Sequence, residues 1–153
     1  VCGTHRITYH SAAASLIINL QTSLICDTIL KSEVCIMSES KLRELSMEFS
    51  VDIVELVKYL KSIKESIISN QIGRSATSIC ANIAESKYAH GRADFIAKLQ
   101  ISLKEASETG KWIEMLYKTE GISEEQYKHL NRLCSTIRVL LIKSINTAKE
   151  NMK

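Results

Sequence analysis

The sequence of 153 residues contains no proline and only 5 glycines, which limits the number of tight turns that it can make. Aromatic residues, which are frequent in β-sandwiches, make up only 5% of the chain. This composition argues against an all-β fold, because such folds depend on many turns. The abundance of Leu, Ile, Ala, Ser, Lys and Glu favours helices instead. The length suits one domain that buries a core without disulfide or metal staples.

Apolar residues recur at every third or fourth position from about Arg43 to Lys153, which is the period of amphipathic α-helices. Breaks near 64–66, 89–91 and 121 divide this pattern into four stripes, and we expect each stripe to face a common core. The stripes are Phe49, Ile53, Leu56, Val57, Leu60 and Ile63; Ile68, Ile72, Ala76, Ile79 and Ile83; Phe95, Leu99, Leu103, Ala106, Gly110, Ile113 and Leu116; and Tyr127, Leu130, Leu133, Cys134, Ile137, Leu141, Ile145 and Ala148.

The loops between the four predicted helices are short. Before the fourth helix, Ser123 and Gln126 form a capping-box pattern, in which the two side chains bond N–H groups that a helix start leaves unpaired. Short connections make helices that follow each other in sequence antiparallel neighbours in space. The sequence therefore predicts an all-α protein, an up-down-up-down antiparallel four-helix bundle.

The first 36 residues differ from the rest of the chain. They hold four of the 37 charged residues (20 basic and 17 acidic), and Met37 is followed by a sequence that resembles a normal start. We expect 1–36 to be an atypical N-terminal extension outside the core, and 37–153 to be the bundle domain. The charge-free stretch 7–26 is interrupted by polar residues, which argues against a signal peptide or a membrane span.

The sequence lacks the common catalytic and cofactor motifs. It has neither of the Gly-rich phosphate-binding loops, no Glu-x-x-His pair of the di-iron bundles, and no arginine–histidine spacing of the helical ribonuclease toxins. We therefore expect no enzyme activity, no cofactor and no metal. The 5 cysteines include no C-x-x-C pair, which favours a reduced, cytoplasmic setting. We expect His90 and His129 to be solvated, and Cys80 and Cys134 to be buried, unreactive thiols.

Small and amide side chains form a polar stripe beside the apolar stripe of the second predicted helix. A solvated face typically carries Lys and Glu, so this composition favours a surface that faces protein, with a solvated face as the alternative. A hairpin centred near His90 places Arg74 level with position 106 and predicts a partly buried salt bridge to Glu105 or Glu108. Deep burial would make Arg74→Ala cost about 3 kcal/mol. The stripe consists of Gln71, Ser75, Ser78, Asn82 and Glu85.

Basic residues dominate the last part of the chain. From Tyr127 onward there are six basic residues and one acidic residue, Glu150. Such a segment can contact nucleic-acid phosphates, although ordinary solvated charges are the alternative. The candidate contacts in this segment are Lys128, Arg132, Arg138, Lys143, Lys149 and Lys153, and a second candidate group near the predicted second turn is Lys87, Arg92 and Lys98.

Residues 71–85, QIGRSATSICANIAE, resemble the second-helix signature of a bacterial four-helix-bundle family. This family includes proteins encoded in intervening sequences of large-subunit ribosomal RNA genes, and the accessory protein of diversity-generating retroelements is a relative. The resemblance continues in 94–99 and 102–116 and covers roughly 44–150. Departures are the lack of proline between the first two helices, Ser86 in place of a common glycine, and Gly73 and Gly110 in place of larger residues.

The resemblance implies a homopentameric ring of bundles in the cytoplasm and does not imply an enzyme. For the retroelement relative it implies binding to nucleic acid and to a reverse transcriptase. Our first hypothesis is a non-enzymatic, homo-oligomeric accessory protein that binds RNA or DNA through its basic surface. The alternative is a protein-interaction scaffold with no nucleic-acid role, whose partner is another protein. Neither hypothesis involves a membrane.

Overall fold

The computed structural model describes residues 39–150, and four α-helices with short connections account for this part of the chain. Helix α1 covers 39–62, α2 is Ile67–Ser86, α3 is Arg92–Lys118 and α4 is Glu124–Glu150. No β-strand occurs within 39–150. The all-α fold class predicted from the sequence is confirmed. The expected N-terminal extension, 1–36, lies outside the described residues and stays a prediction.

The apolar stripes of all four helices meet in one core, as their helical period predicts. One expected core position is wrong: Ile63 is 52% exposed, because α1 ends before it and Lys64 turns the chain with a positive φ of 64°. The core also includes apolar residues that no stripe contained, namely Leu42, Leu45, Ile96 and Ile122. Side chains with no exposed surface include Phe49, Ile53, Leu60, Ile72, Ala76, Ile79, Ala106, Ile113, Ile137 and Leu141.

Contacts between α2 and α3 show that these helices are antiparallel. Thr109 Oγ1, in the second half of α3, donates to Ser75 Oγ in the first half of α2 at 2.8 Å. At the other end of the pair, Lys98 Nζ lies 2.6 Å from Glu85 Oε2. The hydroxyl of Ser102, in between, donates to the carbonyl of Ile79 at 3.3 Å. This register is the one that a hairpin centred near His90 predicts.

The other pairs of consecutive helices are also in contact. The Ser50 hydroxyl of α1 donates to the Ala76 carbonyl of α2 at 3.2 Å. The rings of Tyr117 in α3 and Tyr127 in α4 stack with their centroids 4.3 Å apart. Each helix therefore contacts the next along the chain, which is compatible with the predicted up-down-up-down order.

Helix starts are fixed by side chains that take up unpaired backbone N–H groups. At α4 the predicted capping box is confirmed: Ser123 Oγ accepts from the Gln126 N–H at 3.2 Å, and Gln126 Oε1 accepts from the Ser123 N–H at 3.0 Å. At α2, Glu65 Oε1 accepts from the Ile68 N–H at 2.7 Å.

The thiol of Cys134 is buried between α3 and α4 and donates to the Ala106 carbonyl at 3.2 Å. Burial raises its pKa to about 11, which leaves the thiol protonated and unreactive at neutral pH. The predicted buried, unreactive thiol is confirmed here. Cys80 is only half-buried.

We expect Gly110→Ala to raise the free energy of unfolding by about 1 kcal/mol, because alanine favours a helix interior over glycine by that amount. A Cβ there would meet Cys134 Sγ at 3.7 Å, an ordinary contact. The matched variant Gly73→Ala should gain less, since its Cβ would lie only 3.3 Å from Val57 Cγ2. Urea unfolding of both variants measures the difference; loss of stability in Gly110→Ala would contradict the packing described at α3.

Candidate nucleic-acid interface

Helix α4 carries five basic residues and no acidic residue between Glu125 and Glu150. All five are exposed. Four of them make no ion pair with any residue of the described range 39–150, and these are Arg132, Arg138, Lys143 and Lys149. Their charges are not neutralised within this part of the molecule, and we call them the unpaired α4 cations.

The fifth basic residue of α4, Lys128, is already paired. Its Nζ lies 2.7 Å from Glu124 Oε1, one helical turn earlier. The hydrogen bond between them raises the pKa of Lys128 and lowers the pKa of Glu124. Lys128 thus contributes less free positive charge to this surface than the sequence predicts. Lys153 lies outside the described residues.

The unpaired α4 cations form two rows along the helix. At 100° per residue, Arg132 and Lys143 lie about 20° apart, and so do Arg138 and Lys149. Arg138 follows Cys134 by one turn and therefore lies on the side that packs against α3. Lys104 of α3 is also exposed and makes no ion pair within 39–150. It lies about 160° around α3 from Ala106, the residue that contacts Cys134 of α4, so it does not extend the surface of the unpaired α4 cations.

The second candidate group is not one continuous patch. Lys98 lies 2.6 Å from Glu85, and this hydrogen bond raises the pKa of Lys98. The ammonium of Lys87 lies 5.9 Å from the centroid of the Tyr88 ring. Lys87 and the exposed Arg92 lie at the end of the bundle where α2 meets α3. Because α3 and α4 are antiparallel, α4 finishes at this same end, so Lys149 is the α4 cation nearest to them.

The polar stripe of α2 does not form one surface. Ser75 is fully buried and accepts a hydrogen bond from Thr109 of α3. It therefore contacts protein as predicted, but the contact is within its own chain. Asn82 Nδ2 donates to the Ser78 carbonyl at 2.9 Å, and both residues are half-buried. Gln71 and Glu85 are exposed. Part of the predicted interface stripe is therefore the α2–α3 contact itself.

The predicted salt bridge of Arg74 is confirmed with Glu108, whose Oε1 lies 2.8 Å from Arg74 Nη2. The same oxygen accepts from Trp112 Nε1 at 3.3 Å. The Arg74 side chain is 60% exposed, so the deep burial behind a cost of about 3 kcal/mol is absent. Glu105 does not pair with Arg74, and its Oε2 is buried with no hydrogen-bond partner within the described residues.

We expect Arg74→Ala to lower the free energy of unfolding by only about 0.5–1 kcal/mol, because a solvated ion pair contributes little. A double-mutant cycle with Glu108→Gln, followed by urea unfolding, isolates the pair from other effects of each substitution. A coupling energy above about 2 kcal/mol would contradict the exposed geometry.

The structure corrects the expectation that His129 is a freely solvated residue. Its Nε2 lies 2.8 Å from Asp52 Oδ2 on α1, and both side chains are partly buried. Sequence reasoning missed this pair because its members are 77 positions apart and neither belongs to a motif. His90 is exposed as predicted.

No helix among residues 39–150 is long and apolar enough to cross a membrane.

Two comparisons with known proteins identify the family to which this chain belongs. Residues 38–143 match the family model of the 23S rRNA-intervening sequence protein. The crystal structure of a protein with unknown function from the S23 ribosomal protein family of Bacteroides thetaiotaomicron VPI-5482 is 48% identical, with a TM-score of 0.69. The match covers 71% of this chain and 98% of that chain. No curated protein matches the sequence. The chain, with its four helices and its matched residues, belongs to the 23S rRNA-intervening sequence protein family.

Proposed function

We propose that this protein is a non-enzymatic, cytoplasmic accessory protein that binds nucleic acid by contacting phosphates with the unpaired α4 cations. The observation that carries the proposal is the contrast between the helices. Three of the four lysines of α3, at 98, 111 and 118, lie within hydrogen-bond distance of a glutamate, whereas four of the five cations of α4 have no acidic partner in the described range.

The chemistry of these side chains suits phosphate contact. An exposed cation that pairs with phosphate releases a condensed counterion, and this release favours binding without regard to sequence. A cation already bonded to a glutamate must first give up that partner. Arg132 and Arg138 add the forked guanidinium geometry that matches two phosphate oxygens. No base-reading motif accompanies them on the outer surface of α4, so these contacts position the nucleic acid rather than select it.

The family name supports RNA as the first probe. The matching family model describes proteins of a 23S rRNA intervening sequence, and the related crystal structure is assigned to a ribosomal protein family. The first description associates relatives with ribosomal RNA, and the second associates them with the ribosome. RNA and DNA share the phosphates that the α4 cations contact, so we propose that both bind.

An electrophoretic shift assay tests this proposal. The chain is titrated into unrelated single-stranded RNA and DNA oligomers at low and at high salt. We expect a shift of every oligomer at low salt and its loss at high salt. Absence of a shift for RNA and DNA alike at low salt would overturn the proposal.

A second candidate function, self-association or docking of another protein, is favoured by an apolar row on α1. Met47, Val51 and Val54 are exposed, and their spacing of four and three places them on one face of the helix. We propose that this row supports homo-oligomer formation, with five subunits as the family resemblance implies. Native mass spectrometry tests it: a variant with Val51→Lys should dissociate, and a wild-type chain that stays monomeric would overturn it.

A further inference from the structure

A groove of about 270 Å³ runs between α1 and α4, within one helical turn of Arg132, one of the unpaired α4 cations. The His129–Asp52 pair joins the two helices there. The groove residues of α4 face α1. They are therefore separate from the phosphate contacts that we propose on the exposed side of α4. It is lined by Asp52, Glu55, Leu56, Tyr59, Gln126, His129 and Leu130.

The lining combines an apolar part with an aromatic ring. Leu56 and Leu130 are buried, whereas the ring of Tyr59 is 50% exposed. A half-exposed tyrosine beside buried leucines offers a flat surface on which a planar ring can stack. The volume exceeds that of a single nucleobase, which makes the groove large enough for one unstacked base.

The polar groups of the groove present both donors and acceptors. Gln126 Oε1 already accepts the Ser123 N–H, so the free hydrogen-bonding group of this side chain is its NH₂ donor. Asp52 Oδ2 contacts His129, which fixes the carboxylate as an acceptor in the wall. Glu55 is paired with Lys58 at 2.6 Å, which offsets one of the two negative charges that would repel phosphate.

We propose that this groove binds an unpaired guanine base of a single strand whose phosphates contact the unpaired α4 cations, an inference that rests on the proposed function. The Watson–Crick edge of guanine presents one acceptor, O6, and two donors, N1–H and N2–H₂. The Gln126 amide matches the acceptor, the Asp52 carboxylate matches the donors, and Tyr59 supplies the stacking surface. Arg132 follows His129 by three residues, so a phosphate contact and a base contact lie within one turn of α4.

The test uses fluorescence anisotropy with labelled uridine twelve-mers that differ at one central nucleotide. We expect the oligomer with one guanosine to bind about tenfold more tightly than the all-uridine oligomer, the size of one stacked and hydrogen-bonded base. Replacing guanosine by inosine removes the N2 donors and should lose most of this gain. Replacement by 7-deazaguanosine keeps the Watson–Crick edge and should retain it.

Protein variants complete the test. Tyr59→Ala should weaken binding of the guanosine oligomer more than binding of the all-uridine oligomer, and so remove most of the guanosine preference, because the α4 cations still hold both oligomers. Gln126→Ala also removes the helix cap, so Asp52→Asn is the better second variant, with circular dichroism to confirm the fold. The control is Tyr88→Ala, which removes an exposed tyrosine that follows α2 and does not line the groove. This variant should keep the guanosine preference.

The outcomes separate the two proposals. Salt-dependent binding with equal affinity for all oligomers would overturn the guanine groove and leave the proposed function standing. If no oligomer binds at low salt, both are overturned. Binding of an arginine-rich peptide that Asp52→Asn abolishes, together with no guanosine preference, would assign the groove to a cationic side chain of a protein and overturn the inference.

Discussion

Replacing Phe49 by alanine is expected to lower the free energy of unfolding by about 4 kcal/mol, the largest effect of any single substitution considered for this protein. Phe49 has no exposed surface and lies in the α1 stripe that packs into the core. Removing its ring takes away buried apolar area and leaves a cavity that rigid neighbouring helices fill only in part. A loss of this size approaches the whole stability of a small domain.

Urea unfolding followed by circular dichroism measures this effect. The matched control is Tyr88→Ala, which removes another aromatic ring at a position that is 77% exposed. We expect the control to change stability by less than about 0.5 kcal/mol. Equal losses in the two variants would mean that Phe49 is not a core residue and that the face assigned to α1 is wrong.

The sequence allowed the bundle and its register to be predicted, because both depend on local rules. Helical periodicity identifies the buried face of each helix, and the turn near His90 fixes which positions of α2 and α3 lie level. That register predicted a salt bridge of Arg74 with Glu105 or Glu108, and the structure shows Glu108, 34 positions away, as the partner. The capping box of Ser123 and Gln126 depends on four consecutive residues and was predictable for the same reason.

The remaining features depend on packing that no local rule specifies. Ile63 fits the spacing of the α1 stripe, but it is exposed because the chain turns at Lys64, where φ is positive. The His129–Asp52 contact requires the lateral arrangement of α1 and α4. Their separation of 77 residues leaves no signal in a single sequence.

The candidate interface was predictable by composition but not in its detail. A count of basic residues identifies α4 without showing which charges are neutralised. The Lys128–Glu124 pair could have been inferred from its helical spacing of four residues. The Lys98–Glu85 pair joins two helices, and its discovery requires the hairpin register.

Replacing Arg132, Arg138 and Lys143 together by glutamine is expected to weaken nucleic-acid binding on the order of 100-fold at low salt, about fivefold for each lost phosphate contact. Glutamine keeps the helix propensity and removes only the charge. All three side chains are exposed, so stability should change little. Anisotropy titrations with unrelated sequences should show similar losses, because phosphate contacts carry no sequence information.

The control for this variant removes the same number of charges elsewhere. Lys41, Lys61 and Lys64 are exposed residues of α1 and the turn that follows it, and their replacement by glutamine gives the same net charge. We expect this control to lose only a few-fold in affinity through the weaker overall field. Equal losses in both triple variants would show that net charge, and not the α4 surface, determines binding.

The most direct test of the account is the salt dependence of binding to one single-stranded RNA, measured in parallel for the wild-type chain and the α4 triple variant. Each lost phosphate contact should reduce the slope of log K against log salt by about 0.7, so the variant's slope should be smaller by about 2. Identical slopes for the two proteins would contradict the claim that the unpaired α4 cations contact the phosphates.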